Sequence, residues 1–358
     1  MKSKSLFLLV GSVIVILMMK AYAADRLKFE KDKFGPTMWE EKPVQFFIQE
    51  NPDYAVESIS LNQWFNAGCA LFGVHDKGLN DSQFFCIHKN TENKIQGQWF
   101  FGTQWDRDIE ALTYDGSHIF FSSGSNALKK GRLYQTCNQP NYYFEHCRFS
   151  CFQYYTDGEA KVDGQAMKEV DGLAFDSNDS DGNLWGWAAE SGLFMIPRTI
   201  NPVLSDRNSA VMIYPMSAEV EDIEWIEGKL YGVLNIDDLD DTNAAVTKNG
   251  IIKANFVEYD PLTDQLHIPC QDEVITALTE AQYSAAEIEA LEALPKIEGI
   301  NDNYMLLGFH TSPFPGKQRS TLVLGVLNLT QCTLELQDIH YLPEEQSFDV
   351  EGLAMVCP

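Results

Sequence analysis

A short acidic phrase recurs six times along the chain: AVESI at Glu57, DIEAL at Glu110, EVDGL at Asp171, DIEWI at Glu224, KIEGI at Glu298 and DVEGL at Glu351. The acids are 53, 61, 53, 74 and 53 residues apart, so a unit of 53 recurs and two copies carry extra material. A fixed repeat near 50 residues points to propellers and solenoids, whose units bury their apolar faces only against one another. A second apolar run ending in small or polar residues accompanies the phrases: CALFGVHD from Cys69, HIFFSSG from His118, NLWGWAAESG from Asn183, KLYGVLNI from Lys229 and YMLLGFHT from Tyr304. Paired runs of this kind read as consecutive short antiparallel strands.

Five complete units lie between Glu57 and Glu351, and the remainder, residues 351–358 with 24–56, comes to 41 residues. That is close to one sheet of a repeat of roughly 40 to 50 residues. The chain therefore reads as all-β, a six-bladed β-propeller whose last blade joins both termini and so removes exposed edges, with 351–356 pairing with a strand from 38–56. A five-bladed ring with DVEGL added to an existing blade competes with it. The longest unit contains TEAQYSAAEIEALEAL (Thr279 to Leu294), in which Ser284 and Glu287 form a capping-box pattern ahead of Ile288, Leu291 and Leu294. It predicts one inserted amphipathic helix ended by Pro295, either covering apolar surface or acting as a lid.

Lys2 and Lys4, an apolar run over 6–19 and Ala21-Tyr22-Ala23 form a cleavable secretory signal pattern over residues 1–23, leaving 24–358 as a single domain. The expected location is secreted or periplasmic. The chain has 26 Lys plus Arg against 52 Asp plus Glu, which disfavours nucleic acid and anionic membranes as partners. Eight cysteines in an exported chain point to disulfides, with Cys69–Cys86 on neighbouring strands and a bridge among Cys137, Cys147 and Cys151 favoured locally.

An acid at one place in every innermost strand forms a ring about the axis. Such charges repel unless cations neutralise them or some are protonated. Calcium suits oxygen ligands of loose geometry, and Glu57, Glu110, Asp171, Glu224, Glu298 and Glu351 are its candidate ligands. The competing reading is a latch in which each acid accepts backbone hydrogen bonds from the next blade. A second tier follows the second runs: His75 with Asp76, Ser123 with Asn126, Glu190, Asn235 with Asp237, and His310. Glu190 and Asn235 join the metal candidates, while His75 and His310 are candidate catalytic bases for water activation. The loop DSNDSDGN (Asp176 to Asn183) is either an Asp-rich turn or a separate cation site. No GxSxG, HExxH or Gly-rich phosphate loop occurs.

The phrases DIEALTYDGSHIFFSSG and EVDGLAFDSNDSDGNLWGWAAESGLFMI resemble those of phytase-like β-propeller proteins, including those named for esterase-like activity of phytase. The resemblance implies an exported, calcium-associated propeller with phosphoesterase or esterase activity. Two function classes follow. One is a divalent-cation-dependent hydrolase of esters, lactones or phosphoesters in an acidic channel. The other is a non-catalytic propeller that binds a small molecule or protein at the channel mouth, its ring held by a structural cation or by hydrogen bonds.

Overall fold

The computed structural model describes residues 44–46, 49–50, 59–76, 83–89, 92, 94–100, 109–116, 119–122, 128–134, 151–158, 161–163, 165–176, 182–197, 210–217, 220–234, 246–247, 251–252, 255–267, 288–309, 320–328, 331, 333–342 and 349–357. The signal pattern, Glu57, Asn235, His310, most of the DSNDSDGN loop and the cysteines at 137 and 147 lie outside them. No helix among the described residues is long and apolar enough to cross a membrane.

The protein is all-β with a propeller-like arrangement of sheets. Among the described residues the order opens with β1 (Val44–Phe46) and β2 (Gln49–Glu50), followed by one short helix, α1 (Asn62–Asn66). Sheet I then takes β3 (Ala70–Asp76), β4 (Gln83–Lys89) and β5 (Ile95–Phe100). Sheet II is β6 (Leu112–Tyr114), β7 (Ile119–Phe121), β8 (Leu128–Tyr134) and β9 (Cys151–Gly158). After a small ribbon of β10 (Lys161–Val162) and β11 (Gln165–Ala166), sheet III runs β12 (Val170–Phe175), β13 (Leu184–Ala188), β14 (Gly192–Ile196) and β15 (Val211–Pro215). Sheet IV is β16 (Val220–Ile226), β17 (Lys229–Leu234), β20 (Asn255–Asp260) and β21 (Gln265–His267), interrupted by a ribbon of β18 (Val246–Thr247) and β19 (Ile251–Ile252). Sheet V is β22 (Ile288–Ala293), β23 (Tyr304–Phe309), β24 (Thr321–Asn328) and β25 (Thr333–Tyr341), and β26 (Asp349–Val356) ends the chain.

The first strands of the sheets pack on one another in a closed cycle: β6 on β12, β12 on β16, β16 on β22, β22 on β26 and β26 on β6. Alternate residues of each sheet enter the cores on its two sides. Leu71, Phe85 and Ile87 pack with Leu306, Leu322 and Leu324 of sheet V. Phe72, Val74 and Cys86 pack with Ile119 and Phe121 of sheet II. Because both faces are buried, β13 and β23 are buried at every position, and their sequences are continuous apolar runs instead of alternating ones. Glycine recurs mid-run because the partner strand's side chain takes the space: a Cβ on Gly73 would lie 2.0 Å from the Phe85 ring, and one on Gly186 2.2 Å from the Phe194 ring.

Several expectations are corrected. The described residues form five sheets of four or five strands, so the six phrases do not mark six blades. Nor is DVEGL a simple appendage: β26 is the innermost strand of sheet I and pairs with β3, not with a strand from 38–56. The N-terminal strands instead cap two outer edges, β1 on β5 of sheet I and β2 on β25 of sheet V. KIEGI lies in a turn closed by an Ile297–Ile300 bridge, with Glu298 exposed. The inner strand of sheet V is drawn from the predicted helix, since 288–293 is β22; residues 279–287 lie outside the described set. Local helix propensity is a weak preference, and pairing with β23 together with burial of Ile288, Ala290 and Leu291 outweighs it. Finally, Cys69 is bridged to Cys357, not to Cys86. Cys86, itself disulfide-bonded, sits on the middle strand β4, whereas β26 brings residue 357 beside the start of β3.

Candidate functional site at the acidic mouth of the ring

The inner strands share a starting pattern: Ile109-Glu110-Ala111-Leu112, Val170-Asp171-Gly172-Leu173, Val220-Glu221-Asp222-Ile223, Ile288-Glu289-Ala290-Leu291 and Val350-Glu351-Gly352-Leu353. In four of the five the ladder to the second strand slips at the acid, between Val170 and Gly172, Val220 and Asp222, Ile288 and Ala290, and Val350 and Gly352. A bulge releases one residue from the ladder and turns the strand there. Glu110, Asp171, Glu221, Glu289 and Glu351 thus occupy equivalent places, all half-buried, at one end of the ring. Sequence reasoning found three of them and replaced two: it took Glu224, three residues beyond Glu221, and Glu298, nine beyond Glu289. The IEAL tetrapeptide shared by 109–112 and 288–291 was the available signal.

Of the second tier, only His75, Asp76 and Glu190 are among the described residues. His75 is the cross-strand partner of Val350, next to Glu351. Leu234 and Phe309 stand opposite Val220 and Ile288; Asn235 and His310 lie outside the described residues. Glu190, in the β13–β14 turn, is largely exposed and pairs with Lys168 at 3.8 Å. Among the described residues no three His, Cys, Asp or Glu side chains are grouped to hold a metal ion. The mouth acids are distributed one to a strand.

Deeper in the ring the acids do something else. Each inner strand has a ladder partner on one side only, and its other edge must satisfy its amides by different means. Asp222 is fully buried; its Oδ1 accepts the Ile223 N–H at 2.8 Å and its Oδ2 the Leu291 N–H of the next inner strand at 2.9 Å, with the Leu173 amide also bonded. Gly172 and Gly352 hold the matching place on their strands, and a Cβ there would come within 3.0 Å of the Ile223 N and 2.8 Å of the Leu112 N. Glu292 Oε1 accepts the Met355 N–H at 2.6 Å, linking β22 to β26, and Glu224 Oε1 accepts the Trp225 N–H at 2.6 Å. Glu224 and Glu292 are hydrogen-bonded to each other.

Two carboxyl groups in contact hold a proton between them. Burial pushes Glu224 up to about 8, and Asp222 and Glu292 are likewise held well above the usual carboxylate range, by burial first and then by the neighbouring acids. Glu224 is therefore mostly protonated at neutral pH, and burial biases Asp222 and Glu292 toward the protonated form as well. A cation there would have to displace protons.

A separate buried network secures the entry to sheet I. Asp338 Oδ2 accepts from Ser60 Oγ at 2.7 Å, from the Leu61 N–H at 2.9 Å and from His340 Nε2 at 2.7 Å. The His340 ring and these donors hold Asp338 below the ordinary carboxylate range despite its burial. The carboxylate lies between Ser and His, so it anchors the turn before α1 and does not assemble a nucleophile–base pair.

No protein-family model matches the chain, and no curated protein matches it. Solved structures with partial likeness include an α-L-arabinofuranosidase from Clostridium thermocellum, at 13% identity and TM-score 0.38 over 75% of this chain and 93% of that one. A Bacteroides uniformis protein provisionally named a 6-phosphogluconolactonase aligns at 11% identity and TM-score 0.36, over 79% of this chain and 73% of its own. Hydrazine synthase from Kuenenia stuttgartiensis aligns at 12% identity and TM-score 0.32; the match covers 67% of this chain and about half, 52%, of that one. At these values none of them assigns a family or an activity to this protein.

Proposed function

We propose that this protein is a ligand-binding propeller whose acidic mouth receives a small molecule or protein segment carrying positive charge, with a hydrogen-bonded carboxyl layer holding the ring beneath it. The observation that carries this is the placement of Glu110, Asp171, Glu221, Glu289 and Glu351, all half-buried, at equivalent starts of five inner strands that pack in a closed cycle. Half-buried carboxylates attract cations more strongly than fully solvated ones, because screening is weaker there. An exported location, secreted or periplasmic, accords with the N-terminal pattern.

A second reading, a calcium-dependent hydrolase of esters, lactones or phosphoesters, is favoured by the register that sets His75 beside the Glu351 bulge. In that reading the mouth acids hold calcium, which polarises a carbonyl or phosphoryl oxygen, and His75 or His310 activates water.

One experiment separates them. Calorimetric titration with spermidine is run beside hydrolysis of p-nitrophenyl acetate, p-nitrophenyl phosphate and a γ-lactone in calcium or EGTA. Binding proposed here gives saturable spermidine uptake that weakens at least tenfold in Asp171→Asn with Glu351→Gln, and no calcium-dependent turnover. Calcium-dependent turnover lost in the same double variant establishes the hydrolase instead. Absence of spermidine binding overturns the first reading.

A further inference from the structure

At the opposite end of the ring from the acidic mouth, sheets IV and V part to form a cleft of about 440 Å³. Its position follows from the strand directions: the mouth acids open β16 and β22, whereas the cleft is lined by Ile226 and Lys229 at the far turn of β16 and by Asn301 and Asn303 after β22. One wall is organised around Glu258, whose side chain is only 7% exposed. Lys229 Nζ lies 2.6 Å from Glu258 Oε1, His267 Nε2 lies 3.5 Å away on the same oxygen, and the Tyr231 hydroxyl hydrogen-bonds to this carboxyl group. A buried carboxylate with three partners has a fixed direction, which a flexible surface acid lacks. The facing wall presents Asn301 and Asn303, each able to donate and accept, over an apolar floor that includes Met305 and Val326.

We infer that this cleft is a binding site for a neutral, hydroxyl-rich ligand, a saccharide of one or two rings. The size lies within the range of small-molecule pockets, roughly 300 to 1,000 Å³. Charge disfavours both ions: Glu227, Glu258 and Asp302 outnumber Lys229, which repels phosphates and sulfates, while Lys229 offsets Glu258 and the other two acids are exposed, where solvent screens their pull on a cation. Sugar hydroxyls match carboxylate and carboxamide groups that accept and donate in pairs, and the C–H face of a sugar ring suits the Met305 and Val326 floor. This site is distinct from the mouth, and its test does not depend on what the mouth binds.

Saturation-transfer difference NMR on the full chain tests it, with glucose, galactose, mannose, N-acetylglucosamine, maltose, cellobiose and lactose as probes, and inorganic phosphate and calcium chloride as competitors. At least one sugar is expected to saturate. Its affinity should fall at least tenfold in Glu258→Gln and in Asn301→Ala, and neither competitor should displace it. Asn301 is exposed in a turn, so the second variant decides the matter if the first fails to fold. The inference is overturned if no sugar on the panel gives saturable binding, if Asn301→Ala binds as the parent does, or if phosphate or calcium displaces the sugar.

Discussion

Asp222 Oδ2 accepts the Leu291 N–H at 2.9 Å across the gap between β16 and β22, at the place where Gly172 and Gly352 press their backbones against the corresponding amides of the next strands. The ring thus solves one problem in two ways. Where the residue after the bulge is glycine, the strands approach backbone to backbone; where it is Asp222, a carboxyl group spans a gap that backbone alone leaves open.

Removing that carboxyl group should therefore cost more than an ordinary buried side chain. Asp222→Ala takes the acceptor from the Ile223, Leu291 and Leu173 amides, each costing about 1–3 kcal/mol when left buried without a partner. Urea unfolding should show a loss of roughly 3 kcal/mol or more. Asp222→Asn keeps an acceptor and matches a neutral carboxyl group, so it should lose under half as much. Equal losses in the two variants would show that Asp222 is ionised in the folded protein.

Stability should fall as pH rises. Glu224 is raised to about 8 in the folded state, and Asp222 and Glu292 are raised as well, so the folded protein binds more protons than the unfolded chain above the ordinary carboxylate range. Their contribution is complete below the ordinary values, 3.8 for Asp222 and 4.5 for the two glutamates, declines above them, and for Glu224 is gone past about pH 8, at up to about 1.4 kcal/mol per pH unit per group. Melting temperatures measured from pH 5 to 9 should drop, and Glu224→Gln should flatten the slope. A profile that rises with pH would mean that the interior layer is charged.

Gly186→Ala places a methyl group 2.2 Å from the Phe194 ring and should destabilise by about 1–3 kcal/mol, as overpacking does. Combining it with Phe194→Leu, which vacates the ring position, should recover part of the loss in a double-mutant cycle. Additive losses would count against the contact.

Closure by the C-terminal strand is open to truncation. Ending the chain at Leu342 removes β26, the inner strand of sheet I, and exposes the edge of β3. Cooperative unfolding should be lost. Cys357→Ser keeps the strand but cuts a bridge spanning 288 residues, and should cost up to about 5–6 kcal/mol on chain-entropy grounds while leaving a single sharp transition.

What was legible in the sequence was whatever both faces of a buried strand impose locally: the apolar runs around Phe72, Trp185, Tyr231 and Leu306, and an acid opening the inner strands at Glu110, Asp171 and Glu351, whereas the spacing of 53 was not kept, because the equivalent acids at 110, 171, 221, 289 and 351 are 61, 50, 68 and 62 residues apart. Frame was not legible. VEDIEWI matches the acidic phrase at both Glu221 and Glu224, and only the pairing of Val220 with Leu234 decides that Glu221 takes the bulge while Glu224 points its chemistry inward to Glu292. IEALEAL satisfies a helix locally as well as a strand, and the choice depends on β23 and β26 lying alongside it. The Cys69–Cys357 bridge and the shared proton of Glu224 and Glu292 join residues 288 and 68 positions apart. Proximity and desolvation of that kind exist only once the ring has closed, so tertiary structure alone could decide them.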